Sequence, residues 1–415
     1  MAKLRREDCA KLDREDPLSE FRDEFALPEN TIYLDGNSLG ALPRTTIHQM
    51  EKTVQKDWGM GLIRSWNEAE WITMPQRLGD KIAPLIGAKP GEVVVVDSTS
   101  VNLFKVLVAA LRLRKDRNVI VSEQENFPSD LYISEGVMEI IGGTYERRLL
   151  PEGDEAIEEL IDESVAVVML CHVNYKNGHI HDMRRVTQAA HSKGALVIWD
   201  LSHGTGVIPI DLNGTDSDFA VGCGYKYLNG GPGAPAYLYV KEALLKEVTQ
   251  PLTGWLGHTD PFAFDTEYKP ADDISKFICG TPPILSYAAV ESGLEIFERA
   301  SIEAIREKGK RLTNLFIRLM EQECDSFGFK LLSPRDSERR GCQVAYAHSD
   351  GFPIVQALVA RGVIGDFREP NIVRFGFTPL YIRYIDVWET VTRLRAIMES
   401  GEWTRPEFQE RGIVT

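Results

Sequence analysis

The sequence predicts an α/β protein in which a large part with a mainly parallel sheet is followed by a smaller α+β part. Six short apolar runs alternate with helical patterns between about residues 93 and 240, a pattern typical of a parallel sheet covered by helices. After about residue 280, long amphipathic helices alternate with a few short strands. We expect an N-terminal segment packing with the small domain, a large α/β domain and a small C-terminal α+β domain, at residues 1–60, 61–290 and 291–415.

The N-terminal segment predicts only short elements. Residues 1–30 read as a short polar helix and a lead-in, and residues 31–40 read as a strand followed by a Gly/Asn turn. A helix is expected from about Thr45 to Asp57. The stretch that follows carries Trp58, Trp66 and Trp71, and such dense aromatics are either core or pocket lining; composition does not decide between the two.

The large domain contains the six apolar runs. They are short and continuously apolar, as expected of strands covered on both faces. They occupy residues 93–96, 119–121, 165–170, 196–199, 219–222 and 236–240. A helix is expected from Val101 to about Arg114, and another starts at Leu131 after a proline turn.

The small domain is predicted from a different pattern. Four helical patterns cover residues 284–298, 302–323, 353–361 and 385–398. Two or three short strands are expected among them, at residues 330–332, 344–347 and 372–375.

Charge and cysteine content exclude several classes of protein. The net charge of −15 argues against binding to nucleic acid or anionic membranes. No run approaches the roughly 18 apolar residues of a membrane span, and the charged first residues predict no secretory signal. The six cysteines form no CxxC pair, so we expect reduced thiols in a cytoplasmic protein. Histidine spacing predicts no metal site.

A carboxylate and a lysine follow two neighbouring strands. Asp200 ends the run at 196–199, His203 follows at once, and Lys226 comes 26 positions after Asp200, just past the run at 219–222. Open α/β sheets build their sites at such strand ends. Pyridoxal phosphate (PLP) requires this pair, because a lysine forms its Schiff base and a carboxylate keeps its ring nitrogen protonated.

The pair alone leaves an alternative open, namely an ordinary buried aspartate and a surface lysine. Three features favour the cofactor. Lys226 lies between Tyr225 and Tyr227 and among glycines, which is unusual for a solvated lysine. Asp200 follows a run apolar enough to be buried, and buried carboxylates need partners. His203 is placed to stack on the ring or to orient Asp200.

Three further groups of residues permit two interpretations each. Ser98, Thr99 and Ser100 precede a helix, where they either cap it or bind a phosphate. Phe127 and Asp130 in the turn after residues 119–121 either stack on and bind a flat cofactor or belong to a simple proline turn. Arg374 inside an apolar strand needs a partner, either a substrate carboxylate or an internal salt bridge.

Taken together, nine ordered segments resemble those of kynureninases of the bacterial branch over nearly the whole chain. The segments are YLDGNSLG (33–40), GLIRSW (61–66), NFPSDLY (126–132), HVNYKNGHIHDM (172–183), IWDLSH (198–203), GYKYLNGGPG (224–233), GWLGH (254–258), CGTPPI (279–284) and FREPNIVRFGFTPLY (367–381). The resemblance implies the PLP-dependent transferase fold type I, with a large domain of mainly parallel sheet and a smaller C-terminal α+β domain.

The resemblance also implies residue roles. Lys226 forms the Schiff base and acts as base, Asp200 pairs with the pyridinium nitrogen, and Tyr225 is the candidate proton shuttle. The cofactor-binding set is Thr99, Ser100, Phe127, Pro128, Ser129, Asp130, Cys171, Asp200, His203, Tyr225, Lys226, Trp255 and Thr281, of which Trp255 and Thr281 come from the partner subunit of a homodimer. The substrate-binding set is Ser38, Trp66, Thr281 and Arg374. Cys171 departs from the family pattern, in which small hydroxyl residues are common at this position.

The implied reaction is the hydrolysis of L-kynurenine to anthranilate and L-alanine, with L-kynurenine preferred over its 3-hydroxy form. The nearest alternative is another enzyme of the same fold, a cysteine desulfurase or an aminotransferase. A desulfurase needs a nucleophilic cysteine in a mobile loop, and Cys342, the one placed candidate, reads as a strand start instead. A non-catalytic protein that binds an anion at the same sheet edge is a third interpretation.

Overall fold

A seven-stranded sheet forms the centre of the molecule in a computed structural model that describes residues 3–153 and 156–412. The strands, numbered along the chain, are β1 (Ile32–Tyr33), β2 (Val93–Val95), β3 (Val119–Glu123), β4 (Glu146–Leu150), β5 (Val165–Cys171), β6 (Leu196–Asp200), β7 (Phe219–Gly222), β8 (Tyr237–Val240), β9 (Lys330–Leu331), β10 (Gln343–Ala347), β11 (Val363–Ile364), β12 (Asp366–Arg368) and β13 (Ile372–Gly376).

The central sheet has the strand order β2-β8-β7-β6-β5-β3-β4. Strands β7, β6, β5, β3 and β4 pair in parallel, and β8 is antiparallel to both of its neighbours. The predicted mainly parallel sheet is confirmed. Its carboxyl edge carries the ends of β5 and β6, where the register places Cys171 opposite Asp200.

One strand of this sheet was not predicted from the sequence. Strand β4 reads Glu146-Arg147-Arg148-Leu149-Leu150, and only its last residue is buried. It lies at the edge of the sheet beside β3, where one side of the backbone has no neighbouring strand and charged side chains are typical. The apolar runs used for prediction identify only strands that are buried on both faces.

Eleven α-helices are present in the described part of the chain. They are α1 (Arg6–Arg14), α2 (Arg44–Lys52), α3 (Ser65–Glu68), α4 (Met74–Ile82), α5 (Thr99–Leu113), α6 (Pro128–Ile141), α7 (Met183–Ser192), α8 (Ile284–Phe297), α9 (Ile302–Glu323), α10 (Gly351–Ala360) and α11 (Tyr384–Ser400). A helix was expected from about Thr45 to Asp57. The α-helix in fact ends at Lys52, and residues Thr53–Gly61 continue it as a π-helix.

Two apolar cores cover the faces of the central sheet, because side chains alternate along each strand. In β8, Tyr237 and Tyr239 belong to one core, whereas Leu238 and Val240 belong to the other. The first core continues into the C-terminal part through side chains such as Phe316. The central sheet is therefore held rigidly from both sides.

The C-terminal part contains an antiparallel sheet in the order β12-β13-β10-β9, with α9, α10 and α11 beside it. The N-terminal segment joins this part. Strand β1 pairs in parallel with β11, and Asp16 forms a buried ion pair with Lys308, with Nζ 2.6 Å from Oδ2. The division at residues 60 and 290 stays a prediction. No described helix combines the length and the apolar character needed to cross a membrane.

Candidate active site at the carboxyl edge of the central sheet

A cavity of about 360 Å³ lies elsewhere on the surface, but the predicted chemistry gathers in a smaller one of about 220 Å³. This cavity, called the lysine cavity below, combines residues from the N-terminal segment, the central sheet and the C-terminal part. It is lined by Asn37, Ser38, Phe127, Pro128, Tyr175, His203, Tyr225, Lys226, Arg368 and Arg374.

Lys226 enters the lysine cavity from the turn after β7. Its Nζ lies 2.8 Å from Nε2 of His203, 5.8 Å from the centre of the Phe127 ring and 5.9 Å from that of Tyr225. The N-terminal segment holds this turn in place, since the Gly40 N–H donates to the carbonyl of Tyr225 at 2.7 Å. A Cβ atom at Gly40 would lie 2.2 Å from the Lys226 carbonyl oxygen, so this approach requires glycine.

Gln343 fixes the proton position on His203. The Gln343 amide nitrogen donates to the carbonyls of Asn174 and Tyr175, which leaves its Oε1 as an acceptor 3.1 Å from Nδ1 of His203. Nδ1 therefore carries the proton and Nε2 accepts a hydrogen bond from Lys226. Burial, with the charges of Lys226 and Arg374, lowers the pKa of His203 well below its usual value, so the ring is neutral.

Two buried carboxylates meet below the lysine. Asp200 ends β6 and accepts a hydrogen bond from the Ser202 N–H at 2.7 Å, and Asp130 lies in the first turn of α6. Burial raises the pKa of both, and the charge of Asp200 raises the pKa of Asp130 well above its usual value. A cationic ring nitrogen between these side chains would compensate the cost of burying them.

Cys171 completes this cluster. Its thiol donates to Oδ1 of Asn126 at 2.9 Å and lies 3.7 Å from Oδ2 of Asp130. Ligand atoms of Asp130, Cys171 and Asp200 all lie within 4.8 Å of one another, so geometry alone also permits a cation. Burial raises the pKa of Cys171 well above its usual value, and a protonated thiol is a poor metal ligand.

Phe127 forms the wall of the lysine cavity opposite the lysine. Its ring is 40% exposed and packs edge-on against Tyr175, with 5.2 Å between ring centres. The Asn126 side chain accepts a hydrogen bond from the Phe127 N–H at 2.7 Å and thereby fixes the turn. The free face of the ring is available for stacking on a flat molecule.

Arg374 on β13 has an internal partner. Its Nε donates to Oδ1 of Asp366 at 2.8 Å, and its Nη2 pairs with Oδ2 of the same carboxylate and donates to Ser38 Oγ at 2.9 Å. The antiparallel register of β12 and β13 places Asp366 directly opposite Arg374. Of the two interpretations from sequence, the salt bridge is therefore present, while Arg374 also lines the lysine cavity.

Comparison with known proteins identifies the family. A family model described as "Kynureninase C-terminal domain" matches residues 305–394. Over 414 residues the chain is 49% identical to a kynureninase of Burkholderia pseudomallei (strain 1106a), with 99% of each chain covered, and equally so to a kynureninase of Pseudomonas fluorescens. The chain belongs to the kynureninase family.

Solved structures show which fold this kynureninase-family chain shares. A cysteine desulfurase from Thermococcus onnurineus NA1 superimposes with a TM-score of 0.77 at 20% identity, covering 96% of this chain and all of the other. A cysteine desulfurase from Escherichia coli gives 0.77 at 20% identity over 92% and 98%. The fold is the PLP-dependent fold type I, as predicted, and likeness at this identity carries no further conclusion.

Three features of this kynureninase-family chain fit PLP. An amine, Lys226, lies 5.8 Å from an aromatic face, Phe127. Two buried carboxylates, Asp130 and Asp200, lie together without a cationic side chain bonded to them in the described part of the chain. Helix α5 begins with the hydroxyl side chains of Thr99 and Ser100, which suit a phosphate, although neither residue lines the cavity itself.

Other predicted residues lie outside the lysine cavity. The indole of Trp66 packs edge-on against Trp71, with 5.9 Å between ring centres, and does not line the cavity of its own chain. Trp255 is 38% exposed and packs against Phe262, and Thr281 is exposed. The structure thus brings the groups of Lys226, Asp200 and Arg374 together. The predicted residues Trp66, Trp255 and Thr281 do not line the cavity, and neither do Thr99, Ser100 and Ser129.

Sequence reasoning missed several residues that shape the cavity, namely Asn126, Tyr175, Gln343, Asp366 and Arg368. Asn126 and Tyr175 each lie in one of the nine segments that resemble kynureninases, but the resemblance assigned neither of them a role. Asp366 and Arg368 precede Arg374 by eight and six positions, and an acid near a buried arginine was a usable signal. Gln343 offered no such signal, because it lies 140 positions from His203 in the sequence.

Proposed function

We propose that the protein is a PLP-dependent kynureninase that hydrolyses L-kynurenine to anthranilate and L-alanine. The observation that carries the proposal is the position of Lys226 between His203 and Phe127, in a chain 49% identical to kynureninases over its whole length. Incubation of the holoenzyme with L-kynurenine tests it, because anthranilate is fluorescent and its release is expected to depend on enzyme concentration.

The buried side chains handle the protons of the reaction. When bound, PLP supplies an electron-accepting ring conjugated to the substrate amine. Asp200 holds a proton on the ring nitrogen, because a buried carboxylate favours a cationic partner. The amine of Lys226 removes the proton from the substrate Cα, and neutral His203 accepts a hydrogen bond from that amine and orients it. Thr99 and Ser100 bind the phosphate.

Tyr225 is positioned to move a proton at the substrate Cβ. It lines the lysine cavity beside Lys226, and burial raises its pKa above the usual value, so the phenol keeps its proton at neutral pH. Hydrolysis requires water to add to the γ-carbonyl carbon, cleavage of the bond between Cβ and that carbon, and protonation of Cβ. A protonated phenol at the cavity wall can supply that last proton.

We propose a homodimer as the active form. Apolar side chains with high exposure concentrate in residues 39–63, where Ile63 is 77% and Met60 73% exposed, and in residues 252–268, where Phe264 is 75% exposed. Clustered apolar exposure is typical of an interface. Trp66 and Trp255 lie next to or in these segments. We infer that Trp255 and Thr281 contribute to the lysine cavity of the partner subunit. We also propose a cytoplasmic location for the protein. We further propose that its domains divide at residues 60 and 290.

We propose that the enzyme prefers L-kynurenine over 3-hydroxy-L-kynurenine. The double variant Trp66→His with Thr281→Asn is expected to shift the ratio of the two kcat/KM values toward the hydroxylated substrate, by roughly 1–3 kcal/mol. An indole offers an apolar face that suits an unsubstituted ring, whereas imidazole and amide groups can bond a ring hydroxyl. Competition assays with both substrates measure the ratio. Thr144→Asn, the same change at an exposed threonine outside both proposed interface segments, is the control. A wild type that favours the 3-hydroxy form, or an unchanged ratio, contradicts this assignment.

The alternative is a cysteine desulfurase, for which Cys342 was the candidate nucleophile. Cys342 is buried directly before β10, its thiol lies 3.8 Å from the carbonyl of Val207, and burial raises its pKa to about 11. This environment favours an inert thiol.

Cys342→Ala is therefore expected to leave kcat/KM for anthranilate release within about threefold of wild type, because only packing atoms are lost. Cys324→Ala, at an equally buried cysteine, is the matched control. Loss of activity in a Cys342→Ala protein that melts at the temperature of the control would favour the desulfurase.

A further inference from the structure

We propose that Arg368 is a second binding residue for the substrate carboxylate, acting beside Arg374, and that Asp366 positions both guanidinium groups. The inference rests on the proposed function, because it names a substrate contact of that reaction. It arises from the unequal way in which the two arginines of the lysine cavity use their N–H donors.

Arg374 has little hydrogen-bonding capacity left. A guanidinium offers five N–H donors. In Arg374, Nε and Nη2 bind the two oxygens of Asp366, Nη2 also donates to Ser38 Oγ at 2.9 Å, and Nη1 donates to the Tyr175 carbonyl. Four of the five donors are therefore used by the protein. The side chain is also 2% exposed, so a carboxylate would have to displace a partner to bind it with two hydrogen bonds.

Arg368 has the capacity that Arg374 lacks. Its Nη2 donates to Oδ2 of Asp366 at 2.7 Å and to Ser38 Oγ at 3.2 Å. Within the described part of the chain, no hydrogen-bond partner faces its Nε or Nη1. The side chain is 36% exposed and lines the lysine cavity. Donors of Arg368 are thus free at the wall of the cavity that contains Lys226.

The local charge favours an anion at the same place. Arg374 and Asp366 form a buried pair with no net charge, so the charge of Arg368 is not balanced by that carboxylate. The other carboxylate nearby is Asp35. Burial, followed by the charge of Asp366, raises the pKa of Asp35 to about 7, and no hydrogen-bond partner reaches its buried Oδ1 from the described residues. Because this pKa is close to neutral pH, Asp35 carries only part of a negative charge there, and part of the positive charge of Arg368 stays available to a carboxylate.

Asp366 organises this arrangement. Its two oxygens bind both arginines and accept the hydrogen bond of the Ser38 hydroxyl at 3.0 Å. Although burial opposes ionisation, the guanidinium groups lower its pKa. Strand pairing between β12 and β13 fixes the backbone of Asp366, Arg368 and Arg374. Asp366 is therefore a positioning residue, whereas Arg368 makes the substrate contact.

The test compares a substrate that has the carboxylate with one that lacks it. Holoenzymes of wild type, Arg368→Met, Arg368→Lys and Arg335→Met are assayed with L-kynurenine and with its carboxamide. Arg335 pairs with Glu321 on the surface and is 69% exposed, so Arg335→Met is the matched control. Arg368→Met is expected to lower kcat/KM for L-kynurenine roughly tenfold to a hundredfold, the range for a charged hydrogen bond, and to leave the carboxamide within about threefold. Arg368→Lys falls between.

A binding measurement separates recognition from catalysis. In calorimetric titrations of the holoenzymes, wild type is expected to bind L-alanine more tightly than L-alaninamide, and Arg368→Met is expected to lose most of that difference. Equal losses for acid and amide would show that Arg368 only supports Ser38 and Asp366, and unchanged values for both would show that it has no role; either result overturns the proposal. If wild type releases no anthranilate, the proposed function fails, while the alanine titrations still report on Arg368.

Discussion

Lys226→Ala is expected to reduce anthranilate release from L-kynurenine to below about one percent of the wild-type rate, because the residue is both the amine that binds the cofactor and the base at the substrate Cα. The fold is expected to remain, since the one hydrogen bond of its side chain to the described protein goes to His203. The rate is measured by anthranilate fluorescence, and folding by circular dichroism during thermal unfolding.

Lys246→Ala is the matched control for this variant. Lys246 is an exposed lysine after β8, so its loss removes an equal charge without touching the lysine cavity. Turnover by Lys226→Ala above about a percent of wild type, without an added amine, would show that another group performs both tasks.

Asp200→Asn is expected to lower kcat about a hundredfold to a thousandfold while PLP stays bound, a range typical of a lost electrostatic contact at a reacting centre. An amide cannot hold a proton on the ring nitrogen, so removal of the Cα proton becomes slow. Cofactor content is read from absorbance of the purified protein. A kinetic isotope effect with Cα-deuterated L-kynurenine is expected to rise relative to wild type.

Asp216→Asn serves as the control, because Asp216 is an exposed aspartate before β7. An Asp200→Asn enzyme with the wild-type rate and isotope effect would mean that Asp200 is not the partner of the ring nitrogen. In that case Asp130, the other buried carboxylate of the cluster, would be the remaining candidate.

The fold was predictable where one physical signal dominated. Strands buried on both faces, such as β5 and β7, appear in the sequence as continuous apolar runs, and the class followed from their alternation with helices. Edge strand β4 was not predicted because its exposed edge carries charge. Strand β12 was not predicted because it has only three residues and two of them are charged, although the carboxylate of Asp366 is buried in an ion pair with Arg374. The π-helix at Thr53–Gly61 has no pattern that distinguishes it from an α-helix.

The residues that carry the chemistry of the site could be predicted from the sequence, but most of the residues that position them could not. Asp200 and Lys226 could be paired because parallel strands end at one edge of the sheet. The contact of Gln343 with His203 depends on how the C-terminal part packs on the central sheet, which local pattern does not encode. The same holds for Trp66, whose place outside its own lysine cavity is decided by packing against Trp71.

The central claim is tested most directly by incubating the wild-type holoenzyme with L-kynurenine in water enriched in ¹⁸O and analysing the products by mass spectrometry. Hydrolysis between Cβ and the γ-carbonyl carbon predicts anthranilate and L-alanine in equal amounts, with one solvent oxygen atom in the anthranilate carboxylate. Conversion of L-kynurenine to its 2-oxo acid would contradict the account and would indicate an aminotransferase. Absence of anthranilate, together with consumption of L-cysteine in a parallel incubation, would contradict it and would indicate a desulfurase.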